Sequence, residues 1–275
     1  MKYLSRIRRP FLITAALFAI LYGYLYWNNH AIGCTTISIS AKDLPKEFDG
    51  LRIAHISDLH NTTFGPNHRN LLNKLSNTNP DLIFITGDLI DSRRTDLSSA
   101  ISFAQGSVNI APTYYVPGNH ESRIEEYPQL RQALIDMGVI VLEDDQVSLT
   151  RDQASVSILG LRDPDFGSFS TALSALTKQA SDYTLLLCHR PEKFEEYVQS
   201  NVNLVFTGHA HGGQIRIPFL GGLIAPHQGY FPKYTSGLHS QNNTHMIVSR
   251  GLGNSLFPFR INNPPEIVLA ILQSK

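Results

Sequence analysis

Cysteine is nearly absent: Cys34 and Cys188 are the two in 275 residues, too few for a disulfide scaffold. Charge is scarce as well, with Asp, Glu, Lys and Arg at 17% against the roughly 25% of an average soluble protein. The 23 basic and 23 acidic side chains cancel, leaving no surplus for an electrostatic nucleic-acid binder. Internal repeats and low-complexity tracts are lacking too. Apolar residues, at 42%, supply a sizeable core and exclude wholesale disorder. The unusual count is histidine, at eleven, and the histidines cluster.

The N-terminus carries Lys2, Arg6, Arg8 and Arg9 with no acid in residues 1–10. Phe11 to Trp27 then runs without a charge and ends in Tyr22, Tyr24, Tyr26 and Trp27. That is about the minimum span of a bilayer core, with aromatics suited to the interface. A cleaved signal peptide would end at small residues, but Asn28, Asn29 and His30 follow. Ala31-Ile32-Gly33-Cys34 faintly resembles a lipoprotein cleavage box, yet that polar break separates it from the apolar run. An uncleaved single-pass anchor in the cytoplasmic membrane is therefore expected. The basic flank stays cytoplasmic and places the rest of the chain outside. Arg8-Arg9-Pro10-Phe11-Leu12 also fits a twin-arginine export signal, used by proteins exported already folded.

Residues 28–48 read as a linker and 49–275 as one domain. Buried strands are expected at 51–57, 82–86, 113–116, 139–142, 155–161, 183–188, 203–206, 215–217, 245–249 and 266–272. Leu71, Leu72 and Leu75 mark a helix stopped by Asn79-Pro80, and Leu130, Leu134 and Met137 one ended by Gly138. Strands alternate with helices early and dominate later, which suggests an α/β sandwich of sheets flanked by helices. Pro218 to Gly237, rich in glycine, proline and aromatics, reads as a long loop. Its apolar residues either pack on the core beside the strand ends, the expected case, or touch lipid.

Five of these strands deliver polar residues at their carboxyl ends. Asp58 and His60 follow the first in S-D-L-H, Asp88 the second in T-G-D-L-I-D, and Asn119 and His120 the third in P-G-N-H-E. His189 closes a fourth, and His209 and His211 lie in T-G-H-A-H-G-G after a fifth. That rim is where open α/β sheets bind ligands. Any one of these residues alone reads as a cap, a turn or a core histidine. Together their imidazole, carboxylate and amide oxygen donors suit Mn, Fe or Zn better than calcium, and they exceed what one ion needs.

The ordered set D-x-H, G-D-x-x-D, G-N-H-E, H and G-H-x-H resembles the calcineurin-like metallophosphoesterase superfamily over roughly residues 50–215. The resemblance implies a four-layer αββα sandwich of two mixed β-sheets, with two divalent metals at the strand ends, manganese foremost. It implies that Asp58, His60 and His211 hold one ion, that Asn119, His189 and His209 hold the other, and that Asp88 bridges them. A finer likeness is to small membrane-anchored bacterial members, through Gly212–Pro218 (G-G-Q-I-R-I-P) and Ser249–Gly253 (S-R-G-L-G). Some of those relatives cleave the pyrophosphate of a lipid-linked sugar nucleotide.

A phosphoester resists attack because its oxygens repel nucleophiles; paired cations neutralise them and acidify a bridging water. By the resemblance, His120 is the non-ligand histidine that protonates the leaving alkoxide or stabilises the transferring phosphoryl group, and Asp91 the carboxylate that orients it and keeps it cationic. Asp91 otherwise reads as a helix N-cap. Glu121 is expected at a turn or surface. Arg162, Arg190, Arg216 and Arg250 stand near strand ends, within reach of phosphate or simply solvated. Cys188 reads as a buried inert thiol and His55 as a core histidine, while His30, His68, His227, His239 and His245 match no motif.

The expected function is metal-dependent hydrolysis of a phosphodiester or pyrophosphate at the membrane surface, by a monomeric domain. A lipid-linked pyrophosphate or a phospholipid head group are the alternative substrates. A non-catalytic scaffold would have lost ligands and none is lost; an extracellular nuclease would want a basic groove.

Overall fold

The computed structural model describes residues 2–275 and the side chains from Pro10 onward; the basic flank, with Arg8-Arg9, has side chains outside the described residues. Helix α1 (Lys2–His30) opens the chain. Its stretch Pro10–His30 is long and apolar enough to cross a membrane and is exposed along most of its length, with Asn28 buried near its end.

Two six-stranded mixed sheets follow. The first contains β1 (Gly33–Ala41), β2 (Arg52–Ile56), β3 (Leu82–Thr86), β4 (Thr113–Val116), β5 (Ile140–Val141) and the last strand of the chain, Glu266–Ser274. The second contains β6 (Asp145–Arg151), β7 (Ala154–Gly160), β8 (Thr184–Leu187) and β9 (Leu204–Thr207). Two short hairpins, β10 (Arg216–Ile217) with β11 (Gly221–Gly222) and β12 (Ile224–Ala225) with β13 (Gly229–Tyr230), interrupt it. β14 (Gly237–Gln241) and β15 (Thr244–Val248) complete the second sheet, and Glu266–Ser274 is β16. The orders are β1-β16-β2-β3-β4-β5 and β14-β15-β9-β8-β7-β6.

The strands β2, β3 and β4 run parallel, as do β7, β8, β9 and β15, so their carboxyl ends converge. Alternation along each strand fills two faces. Phe84 and Leu82 of β3 join Leu185, Leu187 and Phe206 between the sheets, whereas Ile83 and Ile85 face helices. Those helices are α2 (Arg69–Ser76), α3 (Leu97–Val108) and α4 (Tyr127–Asp136). On the other side α5 (Phe169–Gln179) and α6 (Phe194–Gln199) cover Leu159, Leu186 and Val205. The layers are thus helix, sheet, sheet, helix.

One departure from the sequence reading concerns the linker over 28–48. Residues 33–41 are strand β1, paired in parallel with all of β16. Ile37 and Ile39 alternate there with serines and threonines, the pattern of a strand with one wet face. Only two residues, Ala31 and Ile32, separate this strand from α1, so helix and sheet are coupled without slack. Tyr24 Oη donates to Asn262 Oδ1 at 2.7 Å and Asn254 Nδ2 to Asn29 Oδ1 at 2.6 Å, seating the helix end on the segment before β16.

Candidate metal centre

The turns leaving β2, β3, β8 and β9 bring Asp58, His60, Asp88, His189, His209 and His211 together in the interior. Asp88 Oδ2 lies 3.5 Å from His60 Nε2 and 3.2 Å from His189 Nε2. Asp58 Oδ1 lies 3.4 Å from His211 Nε2, itself 3.2 Å from His60 Nε2. His209 Nδ1 is 3.2 Å from His189 Nε2. Two triads, Asp58–His60–His211 and Asp88–His189–His209, therefore each point one donor per residue at a common volume. Asn119 is buried beside them, and its Oδ1 has no hydrogen-bond partner. An orphaned amide oxygen and converging imidazole nitrogens are what a cation would satisfy, so the donor set fits divalent metal.

The backbone holds this arrangement under strain. Asp58, His60, Asp88, His209 and His211 all adopt left-handed conformations, with φ between 45° and 63°. Such residues cost energy outside glycine and gather where side-chain aim matters. Close approach of neighbouring turns explains two glycines: a Cβ on Gly208 would lie 1.8 Å from Ser57 Oγ, and one on Gly118 2.3 Å from Asp88 Oδ1.

Surrounding groups fix each ring. His189 Nδ1–H donates to the Thr86 carbonyl at 2.6 Å, which turns Nε2 inward. The backbone N–H of His209 donates to Asp58, and that of His120 to Asp88 Oδ1 at 2.9 Å. Burial alone would raise the Asp58 and Asp88 carboxyls, but the facing histidines hold both below the usual carboxylate range. Conversely, His189 is buried yet raised to about 10 by the two aspartates. Burial lowers His211 to about 3 and His209 in the same direction, keeping those imidazoles neutral, as ligation requires.

His120 stands at the edge, its Nε2 4.0 Å from Asp88 Oδ2. Burial lowers it to about 4. Its Nδ1 accepts the backbone N–H of Ser92 at 2.9 Å. Asp91 Oδ1 is 3.6 Å from that nitrogen, and its carboxylate instead takes the Arg93 backbone N–H and the guanidinium groups of Arg93 and Arg94. Asp91 thus shapes the turn that delivers Ser92, an arrangement different from direct orientation of the ring.

Several functional neighbours escaped the sequence reading. Glu121, expected at a turn or the surface, lies in the turn Glu121–Arg123 but is fully buried, and it accepts N–H groups of Asp88, Leu89, Ile90 and Gly118. Burial and the Asp88 charge push it up to about 7. Arg190 is buried against Asp163, with Nε–Oδ2 at 2.5 Å, while Arg162 and Arg250 pair with Asp144 and Glu266. The arginines that line the cavity of about 490 Å³ over the centre are Arg93 and Arg123. His227, on the loop between β12 and β13, places Nδ1 2.9 Å from His209 Nε2 and 2.7 Å from Arg190 Nη1. The 218–237 loop itself divides: Ala225 and Tyr234 are buried, whereas Phe219, Leu220, Tyr230 and Phe231 are exposed.

Comparison with known proteins agrees with this geometry. The profile described as calcineurin-like phosphoesterase matches residues 51–213. The chain belongs to that family. Bacillus subtilis metallophosphoesterase YkuE is 31% identical over 262 residues, covering 92% of this chain and 90% of the relative. Escherichia coli phosphodiesterase YaeI is 26% identical over 228 residues, or 79% of this chain and 80% of that protein. Among solved structures, Thermus thermophilus TT1561 superposes with a TM-score of 0.51 at 15% identity, over 74% of this chain and 90% of that one, a likeness of fold. As a member of this family the chain is a metal-dependent phosphoester hydrolase.

Proposed function

We propose that the chain hydrolyses phosphodiester or pyrophosphate bonds with two divalent cations, at a membrane into which α1 inserts. The observation that carries the dinuclear reading is the place of Asp88: one carboxylate oxygen faces His60 of the first triad and His189 of the second. Asp58, His60 and His211 would hold one ion, Asn119, His189 and His209 the other, and Asp88 both. Imidazole and carboxylate donors without thiolate favour Mn, with Fe or Zn as alternatives. When bound, the pair supplies charge neutralisation of the phosphoryl oxygens and a water of lowered pKa.

The protein supplies the rest. Because His120 Nδ1 accepts from Ser92, its ring N–H sits on Nε2, facing the cavity, where it donates a hydrogen bond to the charge developing on the leaving oxygen, which takes its proton from water. Asp91 is a positioning residue that acts through the Arg93–Arg94 turn. Arg93 and Arg123 stand at the cavity wall, paired with Asp91 and Asp165, and bring positive charge near the substrate's non-bridging oxygens. Glu121 ties the Asp88 turn to the Gly118 turn through its four N–H donors. The name of YaeI supports a diester substrate. The apolar length of α1 and the basic residues before it support a single-pass protein with the domain outside.

The test uses the full chain purified in detergent. Metal analysis should find close to two ions per chain, and bis(4-nitrophenyl) phosphate should be cleaved faster than the corresponding monoester. Full turnover after exhaustive chelation would overturn the proposal.

A further inference from the structure

Between α1 and the domain runs an apolar groove of about 520 Å³. Phe18, Leu21, Tyr22 and Leu25 form one wall, and Leu252 and Phe259 the other. Leu252 is fixed in the core, while the strip that follows, 254–259, separates the groove from the cavity over the metal centre. Ser255, Leu256 and Phe257 of that strip line the cavity, and Asn254, Pro258 and Phe259 line the groove. The strip is held in place: Gln214 Nε2 donates to the carbonyls of Phe257 and Phe259, and buried Arg260 to that of Gly253. Its side chains nevertheless face outward, with Leu256 83% exposed and Phe257 and Phe259 more than 40%. A fixed backbone presenting large apolar side chains is the mark of an interaction surface.

The wall made by α1 identifies the occupant. A bilayer that holds Pro10–His30 brings lipid to the side of this helix from Phe18 to His30, and the groove opens there. Tyr22, Tyr24, Tyr26 and Trp27 set that level at the lipid–water interface. We propose that the groove seats an acyl chain of a bilayer lipid, so that the strip 254–259 lies in the interface and the lipid's phosphoryl group reaches the metal centre from the membrane side. This rests on the reading of the chain as a membrane-inserted phosphodiesterase and names its substrate class: a phosphodiester carrying an acyl chain.

The experiment reconstitutes the full chain into phosphatidylcholine vesicles containing phosphatidylglycerol with a photoreactive acyl chain. After irradiation, adducts should map to both 18–30 and 252–259. Phe259→Ser should reduce the 252–259 adducts about tenfold, as loss of a half-buried aromatic surface predicts, while Phe259→Leu retains them. Both variants should turn over bis(4-nitrophenyl) phosphate in detergent like the parent, which shows that they fold. Adducts on α1 alone, or adducts at 252–259 indifferent to Phe259→Ser, overturn the groove. A detergent-solubilised dimer that Phe259→Ser dissociates assigns the groove to a second copy and overturns it too. If adducts form as expected but neither soluble nor lipid diester is cleaved, the groove stands and the phosphodiesterase reading fails.

Discussion

The Ser92 backbone N–H points at Nδ1 of His120, 2.9 Å away, and the Asp91 carboxylate beside it is turned toward arginines. A ring nitrogen that accepts carries no proton, so His120 is a neutral Nε2–H donor in this geometry. Asp91→Asn should therefore weaken the turn and lower kcat by less than about tenfold, the scale of one or two hydrogen bonds. Direct support of a cationic imidazole predicts instead a loss as large as that of His120→Ala. Rates with diesters of alkyl leaving groups, which depend most on the Nε2–H, decide between the two.

Asp88→Asn and His120→Ala separate holding metal from stabilising the leaving oxygen. Asp88 faces histidines of both triads, so its loss should lower metal content and activity together. His120→Ala should keep the metal and lose roughly 10²–10³ in rate, the range for removing one hydrogen-bond donor to a developing oxyanion. The loss should shrink for nitrophenyl esters, whose leaving group departs unprotonated. Metal content beside kcat for both variants gives the answer, and an emptied site in His120→Ala would contradict the assignment.

Glu121→Gln should destabilise the fold by about 2–4 kcal/mol, because an amide brings a donor where buried N–H groups need an acceptor. Four backbone donors from two turns meet at this side chain. Metal affinity should fall with stability, since those turns carry Asp88 and Asn119. Chemical unfolding with and without Mn measures both; unchanged unfolding would show that the network has no energetic weight.

What could be read in the chain divides along physical lines. The buried parallel strands were legible because both faces are apolar and the runs, such as Leu82–Thr86, stand out. The unread strands of the two six-stranded sheets, β1, β6 and β14, are all sheet edges, where alternate positions are polar and the apolar signal is halved. Asp58, His60, Asp88, His189, His209 and His211 were legible because chemistry fixed their types at strand ends. Glu121 sat in the same G-N-H-E motif but signalled nothing by composition, since its partners are backbone amides that every residue possesses. His227 and the 254–259 strip come to the site through loops, whose path no periodicity encodes.

His55 offers a test remote from catalysis. It is fully buried on β2, with Nε2 2.8 Å from Thr86 Oγ1 and its ring edge-on to Phe206. Burial lowers its pKa from 6.5 to about 3, against a smaller opposing effect of Asp58. The unfolded chain therefore binds the proton first, so stability from this group is complete above pH 6.5 and is lost as pH falls from there toward 3. The slope is roughly 1.4 kcal/mol per pH unit inside that window. His55→Gln, which can still bond Thr86, should be less stable than the parent at pH 7.5. The gap should narrow by roughly 1.4 kcal/mol for each unit of acidification below 6.5, because groups common to both proteins cancel. Urea unfolding of the two proteins at pH 7.5, 6 and 5 measures it, and a gap that does not change with pH would mean that His55 is protonated equally in the folded and unfolded chain.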